Sequence, residues 1–311
     1  MRVLPIVLFV VASGLFISLI WIYFQLFTGE DVEFEAYANN ISSSLPSTST
    51  QFYPNMRYPD RVIFYTISAN CGEKQRADFI EATRILERKT LLEFEPLPLG
   101  KDAPFIEVSC AAGDDSALES TGYYVAGEGG PTKIVNTTRY AVILGGRISL
   151  FREEHCNKPQ VALHELLHAL GFDHKSDKKS IMFPITNCNQ VLDNDIVAEI
   201  NRLYSQPSAP DLYIEKIEAN KTGPFLNFKI VVGNSGLKDV QNSTLEVRWN
   251  GQTLGEFSLE DIPLGTKRFL EVSNFRIPRD ALELEFFVLA DQKEITTRNN
   301  KIRIRRKETS A

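Results

Sequence analysis

The 311-residue chain is long enough for two folded domains and a targeting segment. Its hydrophobic content of 43% is ordinary for a globular protein. The formal net charge of −6, with no basic stripe along the sequence, argues against nucleic acid as a partner.

The N-terminus contains an apolar segment long enough to cross a membrane. Residues 3–27 carry no charge, and a helix of that length spans a hydrocarbon core about 30 Å thick. Arg2 precedes this segment, and Glu30 and Asp31 follow it, so the positive-inside tendency leaves the N-terminus in the cytoplasm. We therefore predict an uncleaved signal anchor, a transmembrane helix within residues 1–29, with the rest of the chain outside the cytoplasm.

A cleaved signal peptide is the alternative, and it would give a secreted protein. The apolar region of a signal peptide normally has only about 7–15 residues, which is shorter than the segment here. Ala36-Tyr37-Ala38 resembles a cleavage site, but it lies well beyond the apolar segment and behind several acidic residues.

A flexible stalk is predicted over residues 30–57. Residues 39–51 are rich in serine and threonine and contain little that could be buried, so this part should not fold by itself. Such a stalk would hold the folded part of the chain away from the membrane.

The first folded domain is predicted over residues 58–207, and it opens with a strand, a helix and a strand. Residues 61–67 and 105–109 are apolar runs typical of strands, and residues 73–92 between them carry apolar side chains at helical spacing. This order predicts a parallel pair of strands with a right-handed crossover. The elements predicted next are strands at 132–136 and 148–151, a helix from about Pro159 and an amphipathic helix over 192–203.

The helix from about residue 159 carries the pattern HExxHxxGxxH. His164 and His168 are four residues apart, so both imidazoles lie on one helix face and can reach a single ion. Gly171 can adopt a positive φ, which lets the chain turn and return His174 as a third ligand. Three protein ligands leave one tetrahedral position open for water, as in catalytic zinc sites. The pattern therefore predicts one catalytic Zn²⁺, with Glu165 beside the water as general base.

Two further features bear on this site. Ser180-Ile181-Met182-Phe183-Pro184 resembles a Met-turn, a loop that places a methionine beneath the metal; the alternative is that Met182 is an ordinary core residue. His155 is the one histidine outside the pattern. We interpret it as a loop residue without a metal role, because a fourth protein ligand would close the site against water.

The four cysteines agree with a compartment outside the cytoplasm. Cys71 and Cys110 each follow a predicted strand, and if those strands are parallel neighbours their sulfurs can meet. Cys156 precedes the active helix and Cys188 follows the candidate Met-turn, so a bridge there would join both walls of the site. Of the three pairings that four cysteines allow, we predict 71–110 with 156–188; free thiols are the alternative.

Residues 211–306, after a Ser-Gln-Pro-Ser-Ala-Pro linker, alternate apolar and polar side chains in short runs separated by turns. This pattern predicts an all-β, immunoglobulin-like sandwich. Val232-Gly233-Asn234-Ser235-Gly236 and Arg298-Asn299-Asn300 are similar to turns of CARDB-type adhesion modules. That resemblance implies a surface protein or a glycan as ligand, and the alternative is an unrelated sandwich that serves as a spacer.

Residues 58–205 resemble a matrixin-type metzincin catalytic domain. The resemblance rests on the HExxHxxGxxH pattern, the Met-turn, the order of elements, the sequence TLLEF at 90–94 and the sequence LDNDI at 192–196. It implies an α+β fold with a twisted mixed sheet and an active-site helix. It also implies a peptide-hydrolysing zinc enzyme with His164, His168 and His174 as ligands and Glu165 as base.

The chain also departs from that family in two respects. No cysteine-switch propeptide precedes the domain, so the sequence leaves the control of latency open. A structural Ca²⁺ ion has no support, because we find no sharp calcium loop and interpret Asp114 and Asp115 as solvated loop acids.

The sequence therefore predicts a membrane-anchored, extracytoplasmic zinc endopeptidase that acts on peptides or proteins. The substrate is expected to lie against an edge strand, for which we choose residues 132–136, with a pocket wall at about residues 184–188. The alternative is a catalytically inactive adhesion or binding protein that uses both domains as a scaffold. Inactive relatives usually lose the glutamate or a ligand, and all four residues are intact here.

Overall fold

The computed structural model of the protein describes residues 16–18, 31–37, 50–110 and 125–307. Strands are numbered along the chain from β1 (Asp31–Tyr37), which belongs to the second domain. The strands of the first domain are β2 (Met56–Arg57), β3 (Val62–Ile67), β4 (Glu93–Pro96), β5 (Phe105–Ser109), β6 (Gly127–Asn136) and β7 (Ala141–Leu150). Its helices are α1 (Glu73–Glu87), α2 (Gln160–Ala169) and α3 (Asn194–Tyr204).

Within the described residues, six strands form the mixed sheet of the first domain. β3 and β5 are parallel neighbours, in register from Phe64 beside Phe105 to Ile67 beside Val108, as the sequence predicted. β5 and β6 both pair with residues 146–149 of β7, so they lie on opposite sides of that strand. β6 is therefore the outer strand at this side of the sheet, and it runs antiparallel to β7.

Helix α1 packs on the sheet through the apolar stripe that the sequence predicted. Phe79, Ala82 and Leu86 are fully buried in the core shared with the sheet. The helix ends at Glu87 rather than at residue 92, because the Thr90 hydroxyl donates to the Leu86 carbonyl and the chain turns into β4. The sequence did not predict β4, which pairs in parallel with β3.

The second domain consists of strands, as predicted for residues 211–306. Its sheet has the strand order β11-β10-β13-β14-β1-β8-β9-β12 in the described part of the chain. Three strands separate β9 from β13, yet the rings of Phe228 and Phe286 lie 5.2 Å apart, so the sheet must fold over and bring its two halves face to face. The strands are β8 (Leu212–Thr222), β9 (Phe225–Asn234), β10 (Val240–Trp249), β11 (Gln252–Ile262), β12 (Lys267–Arg276), β13 (Glu283–Leu289) and β14 (Lys301–Arg306).

The flexible stalk predicted over residues 30–57 is wrong at both of its ends. Residues 31–37 form β1, which pairs antiparallel with β8 through its first half and with β14 through its second half. The ring of Phe34 packs against the core of the second domain. A strand that can complete two exposed sheet edges gains backbone hydrogen bonds that a composition-based prediction of disorder does not consider.

Residues 50–57 also belong to a folded domain. Met56 is fully buried in the core of the first domain, and β2 pairs in parallel with β7. The Arg57 guanidinium is buried too, where it donates to the backbone carbonyls of Tyr58, Leu203 and Pro59. The first domain therefore begins at about residue 50 and not at residue 58.

The two domains meet at the hairpin between β6 and β7. Tyr140, Val142 and Leu237 form a small buried apolar cluster across this junction. The Thr137 hydroxyl donates to the Ser235 carbonyl at 3.2 Å, within the turn that the sequence singled out. A Cβ at Gly265 would overlap the side chain of Val135, so the glycine allows the second domain to approach β6 closely.

Some sequence predictions fall outside the described residues. These are the membrane segment 3–27 apart from residues 16–18, the serine- and threonine-rich part of the stalk up to residue 49, and Asp114 and Asp115. None of the helices in the described part of the chain has the length and apolar character needed to cross a membrane.

Candidate metal centre

Helix α2 presents the first two histidines of the pattern toward one point. Its Gln160–Ala169 segment is buried on almost every side, and the Nε2 atoms of His164 and His168 lie 3.0 Å apart. A carboxylate oxygen of Glu154 accepts a hydrogen bond from the Val161 backbone N–H at 3.1 Å, which caps the start of the helix. Both histidines are therefore held by a buried, capped helix.

Helix α2 ends at Ala169, and Gly171 follows directly after its last turn, where the sequence predicted the change of direction. Gly171 has a φ of 95°, in the left-handed region that favours glycine, and its N–H donates to the His168 carbonyl at 2.8 Å. A Cβ at this position would overlap the side chain of Met56. The turn carries His174 back to the helix, where its Nε2 lies 3.1 Å from that of His168 and 3.3 Å from that of His164.

The protonation of these histidines fits a metal ion between them. The Nδ1 atoms of His164 and His168 each lie 2.7 Å from a carbonyl oxygen, of Ile181 and Phe172 respectively. A carbonyl only accepts, so each Nδ1 carries the proton and each Nε2 presents a lone pair. Burial lowers the pKa of His164 to about 4 and also lowers the pKa of His168, so both rings are neutral.

Lone pairs that face one another at this distance repel unless a cation lies between them. A tetrahedral zinc ion with Zn–N bonds of about 2.0–2.1 Å separates its nitrogens by roughly 3.3 Å, close to the distances of 3.0–3.3 Å here. His164, His168 and His174 are also the one group of potential metal ligands that converges among the described residues. The triad could therefore bind zinc.

The candidate Met-turn is tied to the histidines through the backbone. Met182 is fully buried in the core that contains α2. Its carbonyl accepts from the Lys175 N–H at 2.9 Å, directly after His174, and its N–H donates to the Ser180 hydroxyl at 3.0 Å. Ser180 in turn donates to Asp193 at 2.7 Å. Methionine and third ligand are thus held in one hydrogen-bonded unit.

Glu165 lies beside the triad, in contact with the outer strand. It is buried, and burial together with the charge of Glu128 raises its pKa to about 8. A Cβ at Gly129 would overlap the backbone carbonyl of Glu165, and a Cβ at Gly127 would lie 2.9 Å from its side chain. The glycines of β6 therefore let the strand pass directly over α2. The sequence GEGG at 127–130 is the signal for this contact, which was not among the predicted features of the site.

An open cleft of about 820 Å³ adjoins the three histidines and Glu165. Its walls are residues 125–129 at the start of β6, the loop 152–156 and the loop 184–188. The pocket wall predicted at residues 184–188 lies where the sequence placed it. The substrate edge predicted at 132–136 lies in β6, but at the end of the strand where residues 135–137 contact the second domain; the start of β6 lines the cleft.

Both disulfides have the predicted pairing. Cys71 and Cys110 lie at the ends of the parallel neighbours β3 and β5, with their Cα atoms 4.8 Å apart. Cys156 and Cys188 join the two loops that face each other across the cleft. Gln160 was not predicted as a site residue; its buried side-chain amide donates to the Cys188 and Gln190 carbonyls, both at 3.0 Å.

His155 and Phe52 also border the site. His155 lies on the exposed rim of the cleft and outside the triad. The ring of Phe52 stacks on that of the candidate ligand His168, with centroids 5.7 Å apart and planes 18° apart. This contact was not predicted, because residue 52 was assigned to the stalk.

Known proteins resemble parts of this chain. Residues 61–205 match the family model described as Matrixin. Macrophage metalloelastase of Oryctolagus cuniculus is 31% identical over 139 residues, which are 41% of this chain and only 28% of that protein. This chain therefore spans less than a third of the relative that it matches.

Two solved structures were also matched. High choriolytic enzyme 1, a hatching enzyme zinc-protease of the medaka Oryzias latipes, is 20% identical and covers 55% of this chain and 99% of its own, with a TM-score of 0.29. A CARDB domain from Pyrococcus furiosus, solved with di-metal ions, is 17% identical and covers 32% of this chain and 88% of its own, with a TM-score of 0.26. By sequence, residues 61–205, which make up just under half of the chain, are thus similar to matrixin domains.

Proposed function

We propose that the protein is a zinc-dependent endopeptidase in which His164, His168 and His174 hold the metal and Glu165 is the general base. The observation that carries the proposal is the convergence of three imidazole Nε2 atoms within 3.0–3.3 Å, next to a buried glutamate and an open cleft. A zinc ion in a site of this type polarises the scissile carbonyl and lowers the pKa of water toward 7.

The chain's own residues supply proton transfer and orientation. Glu165 takes a proton from the attacking water and passes it to the nitrogen of the leaving amine. Its raised pKa suits both steps, because the carboxylate accepts a proton readily and the carboxylic acid forms near neutral pH. The Nδ1–H bonds of His164 and His168 to backbone carbonyls keep Nε2 as the metal-binding atom.

The substrate is proposed to lie extended and antiparallel to β6, with its scissile bond at the triad. β6 has β7 as its one strand partner among the described residues, so its other edge is available for backbone hydrogen bonds. Such bonds carry little sequence information. Selectivity is then expected from side chains that enter the cleft between the loops 152–156 and 184–188.

We also propose that the enzyme works outside the cytoplasm and is held at the membrane by residues 3–27. Two disulfides favour an oxidising compartment, and the length and charge pattern of the apolar segment favour an anchor. Retention of the full protein in the membrane after carbonate extraction is the expected result. A mature N-terminus at Asn39 would overturn the anchor and leave the peptidase proposal intact.

The peptidase proposal is tested with the full chain purified under non-reducing conditions. The protein is incubated with a diverse peptide library, with and without a chelator, and products are identified by mass spectrometry. We expect internal cleavage that stops on chelation and returns with added zinc. A Glu165→Gln variant should keep its zinc and lose activity by about 10²–10⁴-fold, the usual contribution of a general base. Absence of cleavage by the zinc-loaded wild type would instead support the inactive-scaffold alternative.

A further inference from the structure

Residues 50–57, which we call the N-terminal strap, are paired with the turn that carries His174. The Phe52 N–H donates to the Gly171 carbonyl at 3.0 Å, and the Asp173 N–H donates to the Thr50 carbonyl at 3.0 Å. Between these bonds, Gln51 and Phe172 form an antiparallel bridge. The strap is thus attached by its backbone to the segment between two of the candidate metal ligands.

Two hydrogen bonds within the strap, both between Gln51 and Met56, fix the position of residue 52. The side-chain amide of Gln51 donates to the Met56 carbonyl at 2.7 Å, and its oxygen accepts from the Met56 N–H at 3.1 Å. Met56 is fully buried and packs against Gly171. Asn55 has a φ of 54°, which asparagine tolerates better than most residues, and it closes the turn between the two anchors.

Phe52 is held between these anchors with much of its ring uncovered. One face of the ring stacks on His168, while 39% of the residue stays exposed to solvent. His168 is itself part of the cleft wall, whereas Phe52 is absent from the described residues that line the cleft. Phe52 therefore borders the metal site at His168, outside the deep cleft.

The direction of β6 indicates on which side of the triad the substrate residues before and after the scissile bond would lie. The start of β6, residues 125–129, lines the deep cleft together with residues 184–188, and the strand then runs away toward Asn136. An antiparallel peptide places the residues after its scissile bond toward the start of β6, and so into the cleft. The residues before the scissile bond then lie past the triad and outside the deep cleft, as Phe52 does where it contacts His168.

We infer that Phe52 forms one wall of a subsite for an apolar side chain of the substrate, on the N-terminal side of the scissile bond. This inference rests on the proposed peptidase function. An aromatic ring that is fixed by its backbone and half open to solvent can bury an apolar side chain without first becoming ordered. The strap thereby contributes to substrate recognition as well as to the folding of the metal turn.

Kinetics with matched peptides separate this role from a purely structural one. The best peptide from the library is taken, and each of the three residues before its scissile bond is replaced in turn by leucine or glycine. For wild type, one of these positions should favour leucine over glycine in kcat/KM. In Phe52→Ala that preference should fall by about three- to tenfold, the range that an aromatic contact supplies. The matched control is Phe225→Ala, because Phe225 is also 39% exposed but lies in the second domain.

Zinc content and binding provide readouts that do not depend on turnover. Phe52→Ala should retain one zinc per chain. In the Glu165→Gln background, it should weaken binding of the leucine peptide by the same factor and leave binding of the glycine peptide unchanged. An equal loss of kcat/KM for all peptides together with loss of zinc would show that Phe52 only holds His168 in position and does not contact the substrate. An unchanged leucine preference with intact zinc would equally overturn the subsite.

The two proposals fail in different ways. If the wild type cleaves no peptide, the peptidase function fails, and the binding comparison in the Glu165→Gln background still decides the role of Phe52. If the wild type cleaves peptides but Phe52→Ala keeps the leucine preference, only the subsite is wrong.

Discussion

The Arg139 guanidinium and the Asp211 carboxylate form an ion pair at 3.0 Å across the junction of the two domains, with side chains only 8% and 0% exposed. Asp211 also accepts from the Ser235 hydroxyl at 2.9 Å. A buried charge is tolerated only when it is paired and hydrogen-bonded, so removal of either partner leaves an uncompensated charge behind. This pair therefore holds the β6–β7 hairpin against the second domain.

Arg139→Ala should destabilise the protein by about 3–5 kcal/mol, the range for breaking a buried pair from one side. The measurement is denaturant unfolding of the full chain. Arg147→Ala is the matched control, because Arg147 pairs with Glu107 at 3.4 Å with side chains 62% and 53% exposed. An exposed pair contributes only about 0–1 kcal/mol. Equal effects of the two variants would contradict a stabilising role for the domain junction.

Gly129→Ala should damage both stability and peptidase activity. The added methyl group would overlap the Glu165 carbonyl, so β6 must move away from α2. Overpacking of this kind costs about 1–3 kcal/mol, and displacement of a substrate-binding strand by about 1 Å can lower activity 10²-fold. Gly130→Ala is the control, because a Cβ there meets nothing within 4 Å. Activity and unfolding of both variants are measured side by side.

Glu128→Gln should move the acidic limb of the kcat/KM profile to lower pH. Glu165 must be ionised to act as a base, and the negative charge of Glu128 is the second cause, after burial, that raises the pKa of Glu165 to about 8. Removal of that charge lowers the pKa of Glu165, so the base becomes available at lower pH. Glu153→Gln changes another acid in the cleft wall and should leave the limb in place. A shift to higher pH for Glu128→Gln would contradict the assignment.

Loss of the Cys156–Cys188 disulfide should reduce activity more than loss of the Cys71–Cys110 disulfide. The two bridges span 32 and 39 residues, so the chain-entropy model assigns each about 4 kcal/mol of stabilisation. Double serine variants of each pair should therefore lose similar stability. Only the first bridge joins both walls of the cleft, so a difference in kcat/KM under conditions where both variants are folded reports its local role.

Cleavage of the chain between β1 and the strap should not release residues 31–37. β1 is hydrogen-bonded to both β8 and β14, and Glu33 and Glu35 form ion pairs with Lys307 and Arg305 at 3.1 and 3.0 Å. A protease site inserted between residues 43 and 44 allows a controlled cut. We expect the N-terminal piece to co-purify with the rest of the chain until denaturant is added. Its loss under native conditions would mean that β1 is held only by its covalent connection.

The parts of the fold that the sequence predicted well are those that local patterns encode. The four-residue spacing of His164 and His168 is a property of one helix, and the stop at Gly171 needs only the freedom of glycine at positive φ. The pairing of Cys71 with Cys110 followed from one strand–helix–strand unit, whose handedness is nearly invariant. Each of these predictions concerns residues that are close in sequence or joined by a single crossover.

The predictions that did not anticipate the structure concern segments whose environment is set by residues far away in the sequence. Residues 31–37 are polar enough to read as stalk, and they become a strand only because β8 and β14, about 180–270 residues away, leave two edges open. Residues 132–136 were predicted as a strand, and they do lie in β6; only the tertiary structure shows that this end of β6 contacts the second domain and that the other end lines the cleft.

By itself, the sequence predicted the convergence of the three histidines, the two disulfide pairings and the division into an α+β and a β-rich region, because spacing and periodicity express short-range geometry. The tertiary structure alone decided that the strap covers the metal turn, that Phe52 stacks on His168, and that Arg139 meets Asp211 between the domains. These contacts join residues 72 to 123 positions apart, and no local sequence pattern indicates which distant surface will exclude water from a given side chain.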